Sequence, residues 1–429
     1  MNKLATLPKY DTYKDSGVDW LGKVPSHWDA IRMKFLYKDT SIKYRSEETL
    51  LSVTQNQGVV PRDWVENRMV MPSGNLESFK FIEQGDFAIS LRSFEGGLEY
   101  CHHDGIISPA YTVLKSKRPD LYEGFYKYLF KAQVFISELQ TSVIGIREGK
   151  NISYDELQYS LLPIPSEQEQ ITISNFLDKK AAQINKAITI KEKQIELLKE
   201  RKQIIIQKAV TQGLNPDISM KSAGIDWIDD IPEHWELRKV KHIFKLIMEA
   251  SEKNNSHELL SIYAAIGVRP RKDLAEKGNK ASTTDGYWFV KKGDFIVNKL
   301  LAWMGAIGLS EYDGVTSPAY DILRPSVDMD SYFYHYLFRT KQCSGELKKH
   351  SRGIMDVRLR LYFDKFGSIY VPYPPATEQE QIVKYIHEHT IKLEQSELIF
   401  QQQIEKLKEY KTTLINSAVT GKIKVPSVN

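Results

Sequence analysis

Ser-Pro-Ala-Tyr stands at 108–111 and again at 317–320. A Ser-Pro-Pro-Tyr loop can hold an amine for methyl transfer, and these copies come close to one, with Ala110 and Ala319 in place of the second Pro. That chemistry also needs a cofactor loop of the F-x-G-x-G kind, and none precedes either copy, so a strand–turn element is the better reading. His102–His103 and His387–Glu388–His389 carry metal-ligand chemistry. Adjacent histidines in a loop, or an i,i+2 pair on a helix, do not converge on one ion, and further ligands at zinc spacing are missing. GVDWLGKV (17–24) has the glycine spacing of a phosphate loop before Lys23. Val24 stands where such a loop needs Ser or Thr, and the similar GIDWIDDI (224–231) has neither the second Gly nor the Lys. With no nuclease carboxylate cluster and no paired acid and base, the sequence assigns no catalytic residue and no metal.

The elements that would position these residues are set by a chain of 429 residues, which suggests two or three domains. Apolar residues make up 41%, and 7 Trp, 23 Tyr and 17 Phe argue against disorder. The net charge of +4 permits nucleic-acid binding without demanding it, since a basic face can hide in a near-neutral total. Cys101 and Cys343 are too far apart in sequence to suggest a disulfide framework and fit a reducing cytoplasm. The stretch MNKLATLPKYDTYK has no apolar core of a signal peptide, and no apolar run approaches the roughly 18 residues of a membrane helix. The expectation is a soluble, cytoplasmic protein with no membrane partner.

The dominant feature is an internal repeat with a period near 209 residues. DSGVDWLGKVPSHWDAIRMKFLYK (15–38) returns as SAGIDWIDDIPEHWELRKVKHIFK (222–245). Gly17, Asp19, Trp20, Pro25, His27 and Trp28 recur as Gly224, Asp226, Trp227, Pro232, His234 and Trp235. GDF (85–87) returns at 293–295, EQEQI (167–171) at 378–382 and AVT (209–211) at 418–420. Tyr126, Tyr128, Leu129 and Phe130 return as Tyr334, Tyr336, Leu337 and Phe338. A period this long means duplicated domains rather than a solenoid. The Trp-Pro motifs read as a docking or core element in preference to a base-stacking platform.

Each half begins with about 150 residues of short mixed elements. Strand-like runs such as FAISL (87–91), FIVNKL (295–300) and YDILRP (320–325) alternate with Gly-Asp and Asp-Gly turns. Segments 122–140 and 331–349 have helical spacing. This predicts an α+β head. A long helix then follows: Ser166 with Glu169, and Thr377 with Glu380, fit capping boxes. From each cap the chain runs without Pro or Gly to Gly213 and Gly421, about 44 residues or roughly 65 Å.

Two apolar series match along these helices. Leu177, Ile184, Lys191, Leu198 and Ile205 alternate with Ala181, Ile188, Ile195, Lys202 and Ala209. Ile386, Leu393, Phe400, Leu407 and Leu414 alternate with Thr390, Glu397, Ile404, Lys411 and Ala418. This is a 3–4 heptad seam, the signature of a coiled coil. Chain order makes the pair antiparallel about a pseudo-two-fold axis. A seam centred near residue 189 would set Lys191 beside Glu397 and Ile188 beside Phe400. The Lys-rich stretch 191–203 reads as a solvated outer face or a partner-facing one.

Two diverged heads at fixed separation suit duplex DNA, whose major groove returns every 34–36 Å or so. The layout resembles the specificity subunits of type I restriction-modification systems over residues 10–425. The motifs that carry the resemblance are the doubled G-(IV)-D-W-(LI)…(VI)-P-(SE)-H-W segment, the P-x-x-EQEQI helix start and the A-V-T helix end. It implies a fold of two homologous globular target recognition domains joined by two long antiparallel coiled-coil helices, an internal pseudo-two-fold duplication. The expected parts are target recognition domain 1 (1–165), spacer helix 1 (166–213), target recognition domain 2 (214–375), spacer helix 2 (376–422) and a tail (423–429). The resemblance also implies a non-catalytic chain without a cofactor of its own. Double-stranded DNA is the expected ligand. Two modification subunits would carry S-adenosylmethionine and methylate adenine, and restriction subunits would use ATP and Mg.

The family places a loop G-x-x-x-x-x-(IV) before the last short helix and strand of each head. The first copy is GIREGKNISYDEL (145–157), with Ser153 and Glu156 fitting a helix cap. The expected DNA contacts are Arg147, Lys150 and Asn151 here, since Arg suits guanine edges, Asn adenine and Lys phosphate. The second copy, RGIMDVRLRLYFDKF (352–366), lacks the second Gly and the Asn but carries Arg352, Arg358 and Arg360. Arg92 and Lys299, after the GDF strands, complete the candidates. The alternatives are a DNA adenine N-methyltransferase built on the Ser-Pro-Ala-Tyr loops and a coiled-coil scaffold that joins two protein-binding heads. The recognised sequence and the spacer length lie beyond the sequence pattern, because base choice depends on loop geometry and DNA shape.

Overall fold

The computed structural model describes residues 7–65, 76–144, 151–264, 266–273, 283–353 and 359–426. The chain forms two compact units, residues 1–192 with 401–429, and residues 193–400.

In the first unit a four-stranded antiparallel sheet runs in the order Tyr37–Thr40, Thr112–Ser116, Phe87–Ile89, Glu99–Tyr100. Phe87 and Ile89 enter a large core with Trp28, Tyr37, Phe125 and Phe130. Ala88, between them, enters a smaller core with Leu51, Val59, Cys101 and Val113. A strand buried on both faces reads as a continuous apolar run, which is why FAI carries no polar residue. The segment with helical spacing resolves into two helices, Glu123–Leu129 and Gln133–Leu139, which close the large core. Leu161–Ile164 then pairs with Asp29–Arg32 and returns the chain to Trp28 just before the long helix.

The second unit repeats this plan. Its sheet order is Phe244–Ile247, Tyr320–Pro325, Phe295–Asn298, Ile307–Leu309. Phe295 and Val297 face the large core while Ile296 faces the small one. Helices Ser331–Phe338 and Lys341–His350 pack on it, and Glu236–Lys239 pairs with Tyr370–Tyr373 before the second long helix.

The long helices are Glu167–Gln212 and Ala376–Val419. Ser166 caps the first through the Glu169 N–H, 3.3 Å from its Oγ. Thr377 caps nothing: the Glu378 and Gln379 N–H groups donate to the Pro375 carbonyl, so Pro375 is the residue before the helix. The contacts match Glu169-Gln170 with Glu378-Gln379. The doubled Glu-Gln of EQEQI lets the sequence slide by two residues, and the spatial match follows the 209-residue period instead.

Every position of both 3–4 series is buried or half-buried. In the first unit Lys411 Nζ donates to Asn185 Oδ1 at 2.9 Å. In the second, Lys202 pairs with Glu394 at 2.5 Å and Lys199 with Glu397 at 3.2 Å. The helices are therefore antiparallel, but Glu397 meets the ammonium eight residues beyond Lys191. The expected register assumed that each helix meets its partner from its first residue. The opening turns pack against the head instead: Gln170 bonds to the Asp120 carbonyl, and Ile173 and Phe176 lie in the head's core.

Candidate nucleic-acid interface

The doubled sequence motifs build the joint between each head and its helices. Trp28 is fully buried, and an indole N–H needs an acceptor there. It donates to Glu169 Oε2 at 2.9 Å; His27 Nε2 lies 3.0 Å from the same oxygen, and the Tyr10 hydroxyl donates to Oε1. The copy is Trp235 Nε1 to Glu378 Oε2 at 3.0 Å with His234 Nε2 at 2.7 Å. A carboxylate in a helix's first turn is also favoured by the macrodipole. Gln170 and Gln379 tie the same turns to the Pro165 and Pro374 carbonyls. The opposite end of each long helix arrives at this corner. Gly421 has φ +70, and a Cβ there would sit 2.3 Å from Pro25 Cδ and 3.1 Å from Trp28. Gly213 has φ +74 beside Trp235 and Glu378. The Trp, Pro, His, Glu and Gly of the repeat thus hold the helices to the heads.

The loops expected to touch DNA share one stem. Val143–Ile144 pairs with Asn151–Ile152. Arg147 and Lys150 fall in the loop between, outside the described residues, and Asn151 is described only as backbone of this stem. In the second unit Arg352 and Arg360 exchange both backbone hydrogen bonds at 2.9 Å. Arg358 lies outside the described residues. The second copy departs from the family pattern in sequence and still has an equivalent stem. Ser153 precedes the helix Tyr154–Leu157 without a side-chain cap bond.

Arg92 is exposed and leads the short helix Ser93–Gly96, which packs against Asn151–Ile152. The arrangement joins Arg92 to the loop stem. Arg352 and Arg360 are exposed on theirs, and among the described residues the Arg352 side chain pairs only with an exposed Asp364 at 3.8 Å. Lys299 differs from these in being ion-paired within its unit to a partly buried carboxylate. Its backbone carbonyl accepts from the Leu361 N–H, so it adjoins the second stem. Its ammonium, however, is bound to Asp321 Oδ1 at 3.1 Å and the Pro318 carbonyl at 3.3 Å. Burial pushes the Asp321 carboxyl up, and the Lys299 bond holds it back. A cation tied in this way braces the Ser-Pro-Ala-Tyr turn. The sequence reading missed Leu300, Leu301 and Met304, exposed in the loop that follows Lys299. Their only sequence signal was an apolar run longer than the strand Phe295–Asn298 needs.

The residues first considered for chemistry have structural roles. In both Ser-Pro-Ala-Tyr copies the Ser hydroxyl accepts from the Ala N–H two residues on, at 3.3 Å, a turn that leads into the central strand. GVDWLGKV forms the hairpin Tyr13–Asp15 with Lys23–Pro25. His102 packs edge-on to Tyr100, and His389 Nδ1 lies 2.9 Å from the Tyr385 carbonyl. Among the described residues no three of His, Cys, Asp and Glu gather as metal ligands.

Residues 232–406 match the family described as the type I restriction modification DNA specificity domain, and the first unit is the second copy of that plan. The chain therefore carries a type I restriction modification DNA specificity domain. It is 22% identical to the type I restriction enzyme MjaVIII specificity subunit of Methanocaldococcus jannaschii, over 95% of each chain. Its fold is similar to that of a chain solved in work on complex assembly and conformational transition of the type I R-M system (TM-score 0.71, 14% identity, 92% of this chain and 98% of that one). The HsdS subunit from Thermoanaerobacter tengcongensis is a further likeness (TM-score 0.55, 14% identity, 93% and 98%). A specificity subunit is a non-catalytic DNA-recognition component. Among its described residues no helix is long and apolar enough to cross a membrane.

Proposed function

We propose that each unit of this specificity subunit reads one part of a bipartite, asymmetric DNA site, and that the long helices set the gap between the parts. The observation that supports this is the stem shared by Val143–Ile152 and Arg352–Arg360, which carries unrelated loop sequences in the two units. One scaffold with two different loops suits two different base sequences. Arg92, Arg147, Lys150 and Asn151 are the proposed contacts of the first unit, and Arg352, Arg358 and Arg360 those of the second.

The proposed partners are two modification subunits docked on the helices and heads, joined by restriction subunits. Leu197, Ile204, Ile391, Leu398 and Ile399 support helix docking, because they are exposed apolar residues outside the seam. S-adenosylmethionine would reside in the modification subunits, and ATP with Mg in the restriction subunits. The proposed compartment is the cytoplasm, which suits two unpaired cysteines.

The test is a methylome. The chain is expressed with its modification subunit in a host free of adenine methylation, and native DNA is sequenced. A split motif with a fixed gap is expected, and replacing residues 214–375 by those of a relative should alter one half only. Methylation of a continuous palindrome, or its absence from a stably assembled complex, would overturn the proposal.

A further inference from the structure

Each unit holds one partly buried cation in the same place, just after the first helix of its pair. Lys131 Nζ donates to the Gln55 carbonyl at 3.0 Å, the Gly96 carbonyl at 3.0 Å and Glu99 Oε1 at 2.6 Å. Arg339 donates from Nη2 to the Ala264 carbonyl at 2.6 Å, and from Nη1 to the Gly305 and Ile307 carbonyls at 2.8 and 3.2 Å. The acceptors correspond. Gln55 and Ala264 lie in the turns of the hairpins Leu51–Thr54 with Gly58–Pro61 and Leu260–Tyr263 with Gly267–Pro270. Gly96 and Gly305 end the loops that begin at Arg92 and Lys299.

These loops are pressed against their supports. A Cβ at Gly96 would meet the Gln55 side chain at 2.2 Å, and one at Gly97 would meet the Phe130 carbonyl at 2.0 Å. In the second unit Gly305 lies 3.7 Å, by the same measure, from the Ala264 carbonyl. A turn and a loop are thus fastened together through backbone carbonyls, whatever side chains they carry. That arrangement lets loop residues change while the placement of the loop stays fixed, to the few tenths of an ångström that base reading needs.

We propose that Lys131 and Arg339 are positioning residues for DNA reading. Each staples a hairpin turn to the loop beside the recognition stem, and so sets base discrimination in its own half-site and not in the other. This rests on the reading of each unit as the reader of one half-site. The geometry also distinguishes the two staples. The third acceptor of Lys131 is a buried carboxylate, whereas Arg339 reaches three backbone carbonyls through a planar fork that Lys cannot reproduce.

The experiment uses the full chain assembled with its modification subunits, and methylation rates on duplexes with single-base changes in either half. Arg339→Met, Arg339→Lys and Lys131→Arg are made singly. Lys131→Met is combined with Glu99→Gln, so that no buried carboxylate is left unpaired. The Met variants should lose discrimination about tenfold or more in one half-site, opposite halves for the two residues, with the other half unchanged. Arg339→Lys should fall between wild type and Arg339→Met, and Lys131→Arg should retain most of the wild-type ratio. Equal loss in both halves, unchanged ratios in assembled complexes, or failure of every variant to assemble would overturn the proposal. A wild-type complex without a split motif would instead sink the half-site reading itself, before any variant is compared.

Discussion

His335 is held neutral by its surroundings. Burial, then the Arg339 and Arg269 charges, press its pKa down to about 4, and its Nδ1 accepts the Leu309 N–H at 3.2 Å. A folded-state pKa below the ordinary value means that this stability is fully present above pH 6.5. It is lost as pH falls from 6.5 through about 4, approaching roughly 3 kcal/mol. His335→Asn keeps an acceptor and removes the titration. Urea midpoints at pH 7.5 and 4.5 should therefore differ less in the variant than in the wild type. Equal differences would assign the acid sensitivity to another group. The first unit has the opposite tendency. Burial pushes the Asp86 and Glu99 carboxyls up to about 7, so their contribution is present at low pH and is lost as pH rises through 7. The counterpart Asp294 is clasped by Arg324 at 2.8 Å, whereas the equivalent cation of the first unit, Lys115, is bound to Glu83. None of this was legible in the sequence, because GDF is identical in the two halves and the difference lies in a partner about 30 residues away.

At the scale of elements, the 3–4 spacing of apolar residues was enough to find both long helices and their seam. It was not enough to find the register. A seam that repeats every seven residues offers a similar apolar match one heptad away, and no single residue says where a helix leaves its head. The joint does that, through Glu169, Gln170 and Ile173. Cysteines at 199 and 397 should accordingly join through a short bismaleimide at least tenfold faster than cysteines at 191 and 397, as read by gel mobility. Equal rates would contradict the pairing of Lys199 with Glu397. Capping was misjudged at Thr377 for a related reason. Capping rules are local, and the repeated Glu-Gln gave two equally good starts where only one reaches Trp235.

Across the molecule, duplication made the architecture readable and left the interface half hidden. What repeats is what holds the helices to the heads, so the period and the Trp-Pro-His-Trp motif pointed to the joint. What recognises DNA must differ between the halves, and a comparison of the halves passes over it. Lys299 illustrates the limit: a basic residue after a strand has the same sequence signature whether or not it is bound to an internal carboxylate, as Lys299 is to Asp321. For Arg92 and Arg352 the two kinds of contact can be separated by salt. In the assembled complex, Arg92→Ala or Arg352→Ala at a phosphate contact should lower the slope of log affinity against log salt by about one, evenly across sequences. At a base contact, either should instead relax one position by about 1–3 kcal/mol. Fluorescence anisotropy over a salt series separates these results, and no change in either quantity would remove the residue from the interface.

The two cysteines have a use that their chemistry alone would not suggest. Cys101 lies in the small core of the first unit and Cys343 in the large core of the second; both are fully buried. Burial raises both thiols, that of Cys101 to about 12, so neither offers thiolate to an alkylating reagent while its unit stays closed. Each label taken up therefore records an opening event, and mass spectrometry of the tryptic peptides says in which unit it occurred. The unaltered chain is its own two-channel recorder of local unfolding, with the opposite pH tendencies of Glu99 and His335 as the first signal to follow.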